Sequence, residues 1–213
     1  PTEKNLVMKA YRLLEAKYNL PAVNIYLHKV IPDGAGLGGG SSDASNTAIA
    51  LNELFNLNIT DDELATMLAT IGADCPFFIY NKPLLAGGIG DIFENIDISL
   101  KGKTLLLIKP DVSVPTKVAF SRVTPDENRT ELKQLITLPI EEWRGVIGND
   151  FELSVFTQYP ELEGLKNILY DTGAIYASMS GSGSSIFGVY ENDILADSAK
   201  GKLAESNCYL LNL

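Results

Sequence analysis

The stretch PDGAGLGGGSSDA, residues 32–44, restricts this chain more than any other segment. Its glycines at 34, 36, 38, 39 and 40 carry no Cβ, so successive backbone N–H groups can turn toward one small anion. Just upstream, Val23, Ile25 and Leu27 alternate with Asn24, Tyr26 and His28, the period-two pattern of a half-buried strand. Just downstream, Ala44, Ala48, Leu51 and Phe55 recur at helical spacing, with Ser41 or Ser42 placed to cap the helix start. Strand, glycine loop and helix in this order place the positive end of a helix dipole at the loop. The expected ligand is therefore a phosphate, held by backbone donors from Gly36 to Ser42.

Three phosphate-binding families can be weighed against this loop. Gly34, Gly36 and Gly39 satisfy G-x-G-x-x-G, but a dinucleotide fold also needs an acidic residue at the end of a second parallel strand. Asp61 and Asp62 instead open a helix. A Walker A loop is excluded because Ser41-Ser42-Asp43 stands where Gly-Lys-Ser/Thr belongs. Protein kinases are excluded by the missing V-A-I-K, H-R-D and D-F-G elements. A plain turn would not need so many glycines leading straight into an amphipathic helix.

The charge agrees with a local phosphate device. A formal net charge of -10 and a pI near 4.6 repel nucleic-acid backbones, and the 17 basic residues are scattered, so no nucleic-acid partner is expected. No apolar run reaches the roughly 18 residues of a membrane span, so no membrane partner is expected either. Cys75 and Cys208 lack the paired spacing of a zinc or redox site and read as buried thiols in a reducing cytoplasm. His28, the only histidine, has no paired nucleophile and reads as structural.

Local signals sketch the rest. Leu6, Val7, Ala10, Leu13 and Leu14 make a first helix, closed before Pro21. Thr60 and Glu63 form a capping box opening a helix that runs to about Ile71. Residues 76–80, 84–86 and 92–96 read as short strands. A second unit starts near Lys103 with a central strand over 104–108, stopped by Pro110. Helices are expected over 131–137, 141–147, 152–156 and 162–170. Strands over 175–179 and 186–190, a helix over 194–204 and a strand over 209–211 complete an antiparallel α+β layout.

The loop residues Pro32, Gly34, Gly36, Leu37, Gly38, Gly39, Gly40, Ser41, Ser42 and Ala44 resemble the ATP loop of the GHMP kinases. IGADCPFF at 71–78 and SGSGSSIFG at 180–188 resemble two further motifs of that family, in the same order. PDVSVPTKVAF at 110–120 and AGGIGD at 86–91 agree with an isoprenoid-pathway branch whose substrate is an alcohol carrying a cytidine diphosphate. The resemblance implies a two-lobed α+β fold: an ATP-binding lobe over 1–102, lacking its first strands, and a ferredoxin-like lobe over 103–213. It implies Mg²⁺-dependent transfer of the ATP γ-phosphate to a hydroxyl, with Asp74 as general base. It implies that Pro115, Thr116 and Phe120 meet the cytidine side and that Ser180, Gly181, Ser182 and Gly183 hold phosphates. Metal ligands and oligomeric state are left open, and Asp43 reads as solvated helix charge, with a magnesium-linked role the weaker alternative.

The same resemblance implies a segment before Pro1 carrying a lysine and an asparagine near the reactive hydroxyl, and an aromatic and a histidine for the cytosine. With that segment absent, a truncated kinase is the leading expectation. Another small-alcohol kinase of the family, such as a homoserine kinase, and a non-catalytic nucleotide-binding remnant are the alternatives.

Overall fold

A computed structural model describes residues 2–32, 34–88, 90–124, 130–203 and 207–213. The chain divides into two compact units: Pro1–Asp33 with Gly38–Asp97, and Gly34–Leu37 with Ile98–Leu213.

In the first unit, α1 (Leu6–Tyr18) starts where the Asn5 side chain accepts the Val7 N–H at 2.9 Å and stops at Asn19, whose left-handed φ of 53° ends the helix before Pro21. α2 (Gly39–Leu54) begins earlier than expected: Gly38 is its N-cap, so Ser41 and Ser42 lie inside its first turn rather than capping it. α3 (Asp61–Ala69) opens with the expected capping box, Glu63 N–H to Thr60 Oγ1 at 3.3 Å and Thr60 N–H to Glu63 Oε2 at 3.2 Å. α4 (Cys75–Tyr80) replaces a strand expected from an unbroken apolar run that carries no period. Pro76 sits within its first turn, where proline suits a helix, and Asn81 closes it in the left-handed region. β1 (Leu84–Gly87) and β2 (Ile92–Asn95) form an antiparallel hairpin close to its expected extent, apart from Ile89 of AGGIGD, which lies outside the described residues.

The core of this unit lies among the four helices, where Ala10, Leu14, Ala44, Ala48, Leu64, Leu68 and Cys75 are buried. Residues 23–27 do not form the expected strand. Val23 and Ile25 are half-buried, as the alternation implies, but no described segment pairs with them, and a strand needs a ladder.

The second unit runs β3 (Thr104–Lys109), α5 (Thr116–Ala119), α6 (Leu132–Leu135), α7 (Glu152–Gln158), α8 (Pro160–Asp171), β4 (Tyr176–Met179), β5 (Ile186–Tyr190), α9 (Asp193–Lys200) and β6 (Asn207–Asn212). The end expected for the last helix at Ala204 lies outside the described residues. The strands form one antiparallel sheet in the order β4-β5-β3-β6, the βαββαβ arrangement of a ferredoxin-like unit. β3 is an interior strand because it pairs with β5 on one side and β6 on the other, and its apolar run buries Leu106 and Ile108 while Leu105 and Leu107 stay half-buried. Leu106 and Ile108 pack with Val155, Leu162, Leu169 and Ile186 on one face. On the other, Tyr176 and Val189 pack with Ile140 and Trp143, whose indole N–H donates to Leu138 O at 2.8 Å. That second cover comes from a segment expected to be helical over 141–147. It forms only a short 3₁₀ turn, Ile140–Glu142, because Gly145 adopts φ 85°, outside helical space.

No helix among the described residues is long and apolar enough to cross a membrane. Replacing the fully buried Leu106 by alanine is expected to cost about 2–5 kcal/mol in denaturant melts, and Leu105→Ala, at a half-buried position, distinctly less. Burial pushes the thiols of Cys75 and Cys208 up, so neither is a thiolate at neutral pH. Iodoacetamide at pH 7.5 is expected to modify half-buried Cys208 first and Cys75 only on unfolding, read by mass spectrometry.

Candidate active site

The glycine loop is shared between the two units, residues 34–37 packing in the second and Gly38 onward in the first. In the first unit, Gly38 has φ 64°, and a Cβ there would sit 2.7 Å from the Phe78 ring, so any other residue is strained and must displace that ring. The first backbone bond across the helix start is Ser42 N–H to Gly38 O at 2.9 Å. The N–H groups of Gly39, Gly40 and Ser41 therefore have no acceptor within α2 and concentrate its positive dipole end. Ser41 is buried beside Cys75, whose thiol it helps to hydrogen-bond, while Ser42 is half-buried with its hydroxyl 3.4 Å from Asn46 Nδ2.

α4 packs against the first turns of α2 through Ser45 Oγ, which donates to Cys75 O at 2.8 Å. Asp74 is the N-cap residue of α4, yet its side chain makes no capping hydrogen bond and is exposed. An aspartate placed there only to end a turn would be expected to cap. Among the described residues it has no hydrogen-bond or ion-pair partner. The hairpin turn of AGGIGD passes beside it: Gly90, at φ 95°, would carry a Cβ 3.9 Å from Asp74 Oδ1.

In the second unit the other half of the glycine loop is fastened to the Gly/Ser loop between β4 and β5. Ser180 Oγ donates to Gly36 O at 2.8 Å, and Ser185 N–H donates to Ala35 O at 3.1 Å. The approach is so close that a Cβ on Gly36 would lie 2.3 Å from Ser180 O and 2.8 Å from Gly183 O. The segment before α5 joins them: Ser184 Oγ donates to Val112 O, and Ser113 Oγ would lie 3.5 Å from a Cβ on Gly34. Two glycine-rich stretches thus meet at backbone contact, Ser180 and Gly36 lying 144 residues apart in sequence.

Of the residues expected at a site, Gly36 is brought against Ser180, Gly181 and Gly183, with Gly34 and Leu37 beside it in one loop and Ser182 in the other. Gly38, Gly39, Gly40, Ser41 and Ser42 form the start of α2, beside the helix that Asp74 opens. Pro32 is exposed just ahead of Asp33, which is outside the described residues. Pro115 caps α5, Thr116 begins it, and Phe120 follows it, with 59% of its surface exposed, an unusual setting for a core phenylalanine.

Lys29 is the residue the sequence did not single out. Its Nζ lies 2.6 Å from Asp43 Oδ2, both side chains 28% exposed, and 3.3 Å from where a Cβ on Gly39 would stand. Asp43 is therefore an ion-paired charge rather than merely a solvated one. The pair links a lysine before the loop to a helix position after it, and only the loop's closure makes them neighbours.

Two family models match the chain, GHMP kinases N terminal domain over residues 5–82 and GHMP kinases C terminal over 127–209. The 4-diphosphocytidyl-2-C-methyl-D-erythritol kinase of Bacteroides fragilis is 56% identical over 188 residues, 88% of this chain and 69% of that protein. A crystal structure of 4-(cytidine 5'-diphospho)-2C-methyl-D-erythritol kinase superposes with a TM-score of 0.79 at 30% identity, covering 98% of this chain and 77% of that one. A homoserine kinase from Cytophaga hutchinsonii, at 22% identity and a TM-score of 0.70, shares the fold. The chain belongs to the GHMP kinases, in the branch of the 4-diphosphocytidyl-2-C-methyl-D-erythritol kinases.

Proposed function

We propose that this chain transfers the γ-phosphoryl group of ATP to the 2-hydroxyl of 4-diphosphocytidyl-2-C-methyl-D-erythritol, a step of non-mevalonate isoprenoid biosynthesis, with Asp74 as the general base. The observation that carries the assignment of Asp74 is its uncommitted carboxylate: it occupies an N-cap, caps nothing, and stays exposed. As the hydroxyl oxygen bonds to the γ-phosphorus, its proton passes to the Asp74 carboxylate, and the bond from that phosphorus to the bridging oxygen of ADP breaks. ADP leaves with the electron pair.

The remaining residues bind and orient. The N–H groups at the start of α2 suit an anionic phosphate, since they point from a dipole end and have no partner within the helix. The contact of Gly36 with the Ser180–Gly183 loop fixes the neighbouring glycine backbone, which a phosphate can approach without meeting a Cβ. Phe120 offers an exposed aromatic face to the cytosine, and Pro115 and Thr116 hold the segment that carries it. Mg²⁺ is commonly carried by phosphates and water with one or two protein oxygens; the half-buried Ser42 hydroxyl at the helix start could supply one, and bound Mg²⁺ would neutralise charge on the phosphates.

Coupled-enzyme measurement of ADP release is expected to show turnover with Mg²⁺, ATP and the cytidine-bearing alcohol, and none with homoserine or without acceptor. Turnover on homoserine would reassign the acceptor, and a flat trace with every acceptor would leave a nucleotide-binding protein without transfer. Asp74→Asn keeps the shape and removes the base, so kcat is expected to fall by roughly 10²–10⁴-fold with both KM values little changed. An unchanged kcat in that variant would remove Asp74 from the chemistry.

A further inference from the structure

Asn149 stands in the turn before α7, and its side chain uses both of its polar ends. Its amide nitrogen donates to Met179 O at 2.8 Å and to Gly181 O at 2.7 Å, the end of β4 and the tip of the Gly/Ser loop. Its Oδ1 accepts the Phe151 N–H at 2.9 Å. Phe151 in turn sets its ring against Phe120, with centroids 4.7 Å apart and planes at 63°, an edge-to-face pair. Phe120 is largely exposed while Phe151 is half-buried against the core of the second unit, so the buried ring fixes the orientation of the open one.

We propose that Asn149 and Phe151 are positioning residues that hold, from a single turn, both the Gly/Ser loop that meets the phosphates and the ring on which the cytosine stacks. Asn149 fixes the backbone of the loop that meets the phosphates, and through the Phe151 backbone and ring it fixes the plane on which the base stacks. The proposal rests on Phe120 facing the cytosine and on the loop at 180–183 facing the phosphates.

Four variants separate the two ideas, each measured for kcat, for KM of the cytidine-bearing alcohol and of ATP, and for thermal midpoint. Phe120→Ala tests the stacking surface itself and is expected to raise the acceptor KM. Phe151→Leu keeps apolar volume and loses the ring; it is expected to raise the acceptor KM roughly 2- to 12-fold, the range spanned by an aromatic pair, with the KM for ATP unchanged. Phe151→Tyr restores the ring and is expected to restore the acceptor KM. Asn149→Asp keeps the acceptor for the Phe151 N–H but turns a carboxylate toward two carbonyls in place of two donors. It is expected to raise the acceptor KM and lower kcat together. If Phe120→Ala raises the acceptor KM while Phe151→Leu and Asn149→Asp leave it within about twofold, whatever their thermal midpoints, the positioning role is refuted. If Phe120→Ala also leaves it unchanged, the stacking assignment fails and the positioning role falls with it.

Discussion

The contact between Gly36 and the Gly/Ser loop is the constraint on which the rest of this site depends. It brings the carbonyls of Ser180 and Gly183 within 2.3 and 2.8 Å of the place a Cβ would occupy. Only glycine fits, on steric grounds and because the local φ of 73° is disfavoured for every L side chain. The Ser180 hydroxyl and the Ser185 N–H then seal the contact with two hydrogen bonds to consecutive carbonyls. The carbonyls of Ala35 and Gly36 are thereby satisfied within the unit.

The second unit is built to hold that contact still. The Gly/Ser loop connects β4 to β5, whose residues are almost all buried, and β5 pairs with the interior strand β3. The loop therefore rises from close-packed strands, where a shift in one side chain is transmitted to its neighbours. In the first unit, Asp74 opens a helix whose start is tied to α2 by the Ser45 hydroxyl.

Much of this was legible in the sequence, where local rules dominate. The Thr60–Glu63 capping box, the ends of α1 and the apolar runs of β3 and β5 are decided within a few residues, and the structure has them as expected. The glycine motifs were legible as chemistry through their resemblance to the GHMP kinases, and the matches to both halves of that family agree. The failures share a cause. CPFFIY forms α4 because an all-apolar hexamer has no period to read, and residues 23–27 form no strand because pairing is a property of two segments. Gly145, in plain view, was outvoted by the helical spacing around it. The Lys29–Asp43 pair and the threefold use of Asn149 depend on long-range closure, for which one sequence carries no signal.

In the proposed function the interlocked glycine stretches hold the nucleotide phosphates. The most direct test is the Kd for ADP of Gly36→Ala against the unmodified chain, by titration calorimetry with circular dichroism to show that the fold persists. A methyl group at that position must push the Gly/Ser loop away, and losing one charge-assisted hydrogen bond or more is expected to weaken ADP by roughly 10- to 100-fold. A folded Gly36→Ala variant that binds ADP as tightly as the unmodified chain would contradict the claim.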